Sequence, residues 1–224
     1  MPGFFISNMK NNPTFEKEYD NADYIYRCTS IDGWNVQNLT LNKYLNDKIF
    51  LDIDKAFVII EGVIFNSKHL CKETASNNLS EYVEFAINNK IDFWKEFKGT
   101  YSGAVFYKKK NCWTCFVNPI GDKPIFYWSC ESNVIISSSL EMIIKTLQAN
   151  NHSYSLNKQG IYNILTYGHM EDIETQVNGI CRLAPGHYLE CKNPNLIELH
   201  EYHSFNNSSV CEMSEQEILE TLDK

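Results

Sequence analysis

The residues of this chain that could do chemistry fall into a few groups. Cys112-Trp113-Thr114-Cys115 has the C-x-x-C spacing found in zinc and redox sites. A zinc site of that kind wants a second Cys or His pair, and a redox site wants a helix N-terminus to lower the thiol pKa. The segment reads instead as a strand, where odd spacing sends the two thiols to opposite faces. They are ordinary strand cysteines on this reading. His200 and His203, with Glu201 between them, diverge on a strand in the same way, and no H-E-x-x-H pattern accompanies them. No metal site is expected. His187 belongs to the turn Ala184-Pro185-Gly186-His187, where such residues mostly position backbone. Phe126, Tyr127 and Trp128 lack basic neighbours and read as core rather than as a stacking platform. The one basic run, Lys108-Lys109-Lys110, sits at an expected hairpin tip and reads as a solvated turn.

Composition narrows the function classes. A chain of 224 residues makes one large domain or two small ones, with room for a substantial core. A net charge of −8 argues against a nucleic-acid partner, because binding the phosphate backbone needs clustered Lys and Arg. The N-terminal apolar stretch is too short for a signal peptide, and no segment has membrane-spanning length. No membrane partner is expected. The eight cysteines then read as reduced thiols of a cytoplasmic protein.

The elements that must carry these residues are mostly strands, as the 13% aromatic content suggests. Residues 3–8 form a strand suited to a sheet interior, since Phe4, Phe5 and Ile6 are apolar without interruption. Residues 11–21 are loop-like and 24–28 a short strand. Residues 31–38 are ambiguous, with Asp32-Gly33 a plausible turn. Strands follow at 49–51 and 57–60, and Glu61-Gly62 marks a break or bulge before Val63-Ile64-Phe65. Residues 78–88 form a helix with Leu79, Tyr82, Val83, Ala86 and Ile87 on one face. Residues 101–107, 112–117, 125–128 and 134–138 alternate with turns and read as two successive hairpins in one four-stranded block. Helices come next near 140–147 and 156–165, the second with Gly168 at its C-cap. Strands at 188–191 and 196–202 flank a turn at Asn193-Pro194-Asn195. Residues 206–209 resemble a linker, and Ser214-Glu215-Gln216-Glu217 is a capping box opening a last helix.

Several segments resemble, in order, the class II glutamine amidotransferase domains of the asparagine synthetase family. Residues 93–106 are similar to that family's F-L-D-D-L-N-G-M-F-A-F-A-L. Glu61-Gly62-Val63-Ile64-Phe65-Asn66 stands in register with N-G-E-I-Y-N, and Gly121-Asp122-Lys123-Pro124-Ile125-Phe126-Tyr127 resembles G-x-K-P-L-Y-Y. Ile136-Ser137-Ser138-Ser139-Leu140 looks like F-A-S-E-x. Gly179-Ile180-Cys181-Arg182-Leu183-Ala184-Pro185-Gly186-His187-Tyr188-Leu189-Glu190 is close to G-I-x-R-L-x-P-G-H-x-L-E. The resemblance spans about residues 57–203. It implies an α+β fold of the N-terminal-nucleophile type, a four-layer αββα sandwich of two antiparallel sheets.

The same resemblance implies a glutaminase whose parts can be checked one by one. The family's nucleophile is a cysteine at position 2, freed by removal of the initiator methionine. Here that position is Pro2, which has neither thiol nor hydroxyl, although Gly3 still matches. The family's Asn-Gly oxyanion donors and its substrate-holding Glu become Glu61, Gly62 and Val63. A carboxylate at 61 has the wrong sign for an oxyanion site. The arginine of the family's H-R-G-P-D has no clear counterpart; with Asp32-Gly33-Trp34 as register it would be Thr29. The family aspartate before the helix at 78–88 falls on Asn78. No catalytic residue is expected to survive, and Pro2, Glu61, Gly62, Val63 and Asn78 read as vestigial.

Relatives such as β-lactam and carbapenam synthetases and lasso-peptide cyclases carry similarly degenerate domains. The resemblance therefore implies a glutaminase-dead N-terminal domain, residues 1–205, of an ATP-dependent amide-forming ligase. Residues 206–224 would be a linker and the first helix of a missing or separate synthetase domain. ATP and Mg are expected only in that companion, and no cofactor in this domain. Two other readings stay open. The domain could be a free-standing module that binds a peptide or carrier protein. Alternatively, loss of Met1 would expose the Pro2 secondary amine as a base or nucleophile, though no matched acid or oxyanion donor is evident nearby.

Overall fold

The computed structural model describes residues 2–15, 23–170, 173–193 and 196–204. Strands β1 (Gly3–Ser7), β2 (Tyr24–Ile31) and β3 (Trp34–Leu41) open the chain. Asp32 (φ 46°) and Gly33 (φ 85°) join β2 to β3, with Ile31 facing Trp34. Positive φ at both turn residues gives the twist that a two-residue hairpin needs. The ambiguous stretch at 31–38 is thus the centre of a hairpin. β4 (Ile49–Asp52) and β5 (Ala56–Ile64) form the next one. Helices α1 (Ser67–Glu73) and α2 (Leu79–Asn88) follow, then β6 (Gly99–Tyr107), β7 (Cys112–Val117), β8 (Phe126–Cys130) and β9 (Asn133–Ser137). The chain continues through α3 (Leu140–Ala149), α4 (Lys158–Tyr167), β10 (Cys181–Arg182), β11 (His187–Asn193) and β12 (Leu196–Glu201).

Two antiparallel sheets of six strands result, in the orders β10-β8-β9-β1-β3-β2 and β12-β11-β7-β6-β5-β4. Phe4, Ile6, Trp34, Val36, Phe57, Ile59, Phe106 and Trp113 pack between them. Each such side chain contributes roughly 2 kcal/mol or more by leaving water. The outer face of the second sheet is covered by α1 and α2 through Leu70, Leu79, Tyr82, Val83 and Ala86. The outer face of the first is covered by α3 through Met142, Ile143 and Leu147. The order of layers is αββα, as the sequence led us to expect.

Two expectations need correction. The two hairpins at 101–138 are not one four-stranded block. β6–β7 belongs to the second sheet and β8–β9 to the first. The connection between them, with Pro119, Gly121 and Pro124, carries the chain across the sandwich. Local turn chemistry marks where a hairpin bends but not which sheet it joins. Glu61-Gly62 is likewise not a break, since β5 runs unbroken beside β6 with Glu61 facing Ser102 and Gly62 facing Tyr101. Gly62 is needed for another reason. Its φ is 144°, and a Cβ there would lie 2.1 Å from the Thr100 carbonyl oxygen.

Helix α1 gave no clear sequence signal because only Leu70 in it is buried. Between 177 and 183 only Cys181–Arg182 pairs as a strand. The turn at 194 and 195, the linker at 206–209, the helix from 214 and the boundary at 205 all lie outside the described residues, as does part of the loop at 11–21.

Candidate functional site

The first strand lies inside the first sheet. β1 is paired on both sides, by β3 and by β9. Ser138 Oγ accepts from the Phe4 amide at 2.7 Å, and Asn38 Nδ2 donates to the Gly3 carbonyl at 3.1 Å. A Cβ on Gly3 would sit 1.8 Å from Ser138 Oγ, so a glycine is required beside this serine. Ser137 and Ser138 thus tie β1 in place through Phe4, while Ser139 caps α3 by accepting from the Met142 amide.

Pleat alternation puts the even residues of β1 between the sheets, and Pro2, half-buried, continues that row behind Phe4 and Ile6. On β3, Asn38 and Thr40 continue the row of Trp34 and Val36. On β5, Glu61 continues the row of Phe57 and Ile59. One end of the inter-sheet layer is therefore polar.

Glu61 is the centre of that end. It is 3% exposed. Its Oε1 accepts from the Thr40 hydroxyl at 3.1 Å, which joins the two sheets, and lies 3.4 Å from Lys48 Nζ. Lys48, whose side chain is 7% exposed, also donates to the Leu41 carbonyl at 2.9 Å. Glu61 Oε2 is buried without a hydrogen-bond partner among the described residues. A carboxylate in so dry a place is held by its cation and its hydroxyl donor. Sequence reading located Glu61 but missed Lys48, whose part depends on a contact thirteen positions away with no local pattern to show it.

The other expected positions scatter. Gly62 lies in β5 beside Glu61, and Val63 is half-buried at the next step. Asn78 caps α2: its Oδ1 accepts from the Glu81 amide at 3.0 Å, and its Nδ2 donates to Glu81 Oε1 at 3.1 Å. It also borders an open cleft of about 660 Å³ with Tyr44, Asp47, Lys68 and Lys72. Thr29 faces Val36 on β2, four residues from Ile25, the partner of Thr40. That is roughly 13 Å of strand from the polar end. The guanidinium nearer to that end is Arg27, which faces Asn38 across the strand pair and lies 5.8 Å over the Phe50 ring. Only strand register reveals it.

No described thiol stands at the polar end. Cys115 and Cys191 are in the apolar core between the sheets. Burial pushes the Cys115 thiol well above its usual value and that of Cys191 up to about 12, so both stay protonated. Cys112 faces the other way, as its spacing from Cys115 requires, and burial raises it to about 11. Glu190, Glu198 and His200 bring ligand atoms within 4.8 Å of one another on β11 and β12. Lys192 Nζ already sits 3.0 Å from Glu190 and 2.5 Å from Glu198. Hydrogen bonds from Lys192 hold the Glu198 carboxyl below its usual value, so the group is an ion-pair ladder closed by its own cation.

Comparison with known proteins agrees with this architecture. Residues 49–203 match the family described as "Glutamine amidotransferase domain". A putative asparagine synthetase [glutamine-hydrolyzing] 2 from Methanocaldococcus jannaschii is 30% identical over 118 residues, covering 49% of this chain and 22% of the relative. The chain thus spans under a quarter of that relative's length. Among solved structures, the allosteric regulatory enzyme of purine biosynthesis overlays on 92% of this chain and 44% of its own, with TM-score 0.51 and 10% identity. The glutamine phosphoribosylpyrophosphate amidotransferase of B. subtilis covers 78% of this chain and 36% of its own, with TM-score 0.49 and 11% identity. Two antiparallel six-stranded sheets and a family match over most of the chain lead to one assignment: this chain belongs to the glutamine amidotransferase domain family.

Proposed function

We propose that this domain has lost glutamine hydrolysis and serves as a structural, substrate-positioning part of an asparagine-synthetase-like ligase. In this reading a companion synthetase domain or subunit binds ATP and Mg and closes an amide with an amine already present in its substrate. The observation that carries it is the Glu61–Thr40–Lys48 cluster beside Pro2. Amide cleavage by this family's route needs a nucleophile at the chain start and donors aimed at a developing negative charge. Pro2 supplies no nucleophilic side chain, and Glu61 brings a carboxylate to the place where the donors would stand. Vestigial roles for Gly62, Val63 and Asn78 belong to the same reading, as does a domain boundary near residue 205. Buried free thiols fit a reducing, cytoplasmic setting.

Exposed apolar side chains on and just before α4 support the companion. Leu156, Tyr162, Leu165 (81% exposed) and Tyr167 are uncovered, a concentration that a solitary globular surface seldom keeps. The same surface favours the second reading, an interaction module for a peptide or carrier protein. The test is glutamate release from glutamine by the purified chain. We expect a rate equal to the buffer blank. Release above the blank that disappears when Pro2 and Glu61 are substituted would overturn the proposal.

A further inference from the structure

Although the chain carries a net charge of −8, positive charge gathers at one place on its surface. The β6–β7 tip, the β4–β5 turn and the segment after α2 converge on a cavity of about 360 Å³ lined by Lys55, Lys90, Lys109, Lys110, Asp92 and Tyr107, with Ile87. The two hairpins are tied there by the Lys108 amide, which donates to the Lys55 carbonyl at 3.1 Å.

Two of the nearby carboxylates are already engaged, while Asp54 beside Lys55 is exposed to solvent. Asp92 accepts from Lys95 Nζ at 2.7 Å, and Asp52 pairs with Lys108 Nζ at 2.6 Å. Among the described residues, Lys55, Lys90, Lys109 and Lys110 have no carboxylate partner, while Lys110 Nζ stands 5.4 Å over the Tyr107 ring. The C-terminal end of α2 adds about half a negative charge. Four ammonium groups outweigh it. Converging like charges repel, and a concave, partly apolar wall focuses their field. The cavity is of small-metabolite size.

We propose that this cavity binds a small polyanion, a compact molecule with two or more phosphate or carboxylate groups. Its body rests on Tyr107 and Ile87, and its charges meet Lys55, Lys90, Lys109 and Lys110. Lysines suit such a ligand because they act as mobile point charges and impose no planar geometry. The site is independent of the polar end described above and holds whether or not glutamine is hydrolysed.

Titration calorimetry of the full chain with inorganic tripolyphosphate and, separately, with citrate tests the proposal and tells phosphate from carboxylate. We expect one saturable site for at least one of them, weakening about tenfold or more as salt rises from about 20 to 200 mM. Lys109→Glu with Lys110→Glu should reduce affinity at least about tenfold, and Lys55→Gln with Lys90→Gln severalfold with the hairpin tip unchanged. Lys43→Glu, which changes the charge as much as the Lys55→Gln/Lys90→Gln pair but outside the cavity, should leave affinity within about twofold. All five lysines are exposed or nearly so, and circular dichroism confirms that each variant is folded. No saturable binding of either anion at low salt, or equal affinity in the doubly reversed variant, would overturn the proposal.

Discussion

The two ends of the space between the sheets are built from the same strands but by opposite rules. At one end Trp34, Phe57, Phe106 and Trp113 interlock, Trp34 meeting Trp113 edge to face at 6.1 Å. At the other, along the same rows, Asn38, Thr40, Glu61 and Ser102 are buried polar groups. Hydrophobic burial stabilises the first end without regard to fine geometry. The second has to satisfy each polar group or lose stability. At the polar end Lys48 and Thr40 meet that demand for Glu61 Oε1.

That contrast can be broken from either side. The largest effect should come from the apolar end: Trp113→Ala is expected to cost about 4 kcal/mol, read from denaturant midpoints. At the polar end, Glu61→Ala leaves Lys48 buried without its carboxylate and should cost about 3 kcal/mol. Glu61→Leu combined with Lys48→Met should recover most of that loss, since a buried ion pair is often replaceable by apolar groups. A Glu61→Ala variant as stable as the parent would mean that the cluster holds nothing together.

Alkaline pH separates the ends in a different way. Burial raises Cys191 to about 12 and Cys112 to about 11 from a free value of 9.0. A raised folded pKa means that the stabilisation is fully present below about pH 9 and is lost as pH climbs through 11 to 12. Urea midpoints should fall over that window, and less in Cys191→Ala, after allowing for its cavity. Native Cys115 and Cys191 should resist thiol reagents at neutral pH, while the exposed Cys28 and Cys130 react. The smallest effect is at the helix cap: Asn78→Ala should cost about 1 kcal/mol in thermal denaturation.

Much of the architecture was legible because turns and periodicity are local. Asp32-Gly33, the lysine tip and Gly168 at φ 78° each announce a boundary from a few neighbouring residues. Sheet membership was not legible, because the connection at 118–125 crosses between layers and nothing in a hairpin's own residues says so. The site divides in the same way. Pro2 and Glu61 were picked out by register with the family's motifs. Lys48 and Arg27 were not, since one is recruited through a tertiary contact and the other through strand register. Gly62 was noticed for a wrong reason, as a break, when its role is close approach to Thr100 inside an unbroken ladder.

The most direct test uses intact mass spectrometry after incubation with an electrophilic glutamine analogue, which alkylates a working nucleophile in a glutamine pocket. We expect the mass of the unmodified chain, with no adduct beyond that of a denatured control. A stoichiometric adduct on a residue at the polar end, blocked by excess glutamine, would show that amide-cleaving chemistry is still there.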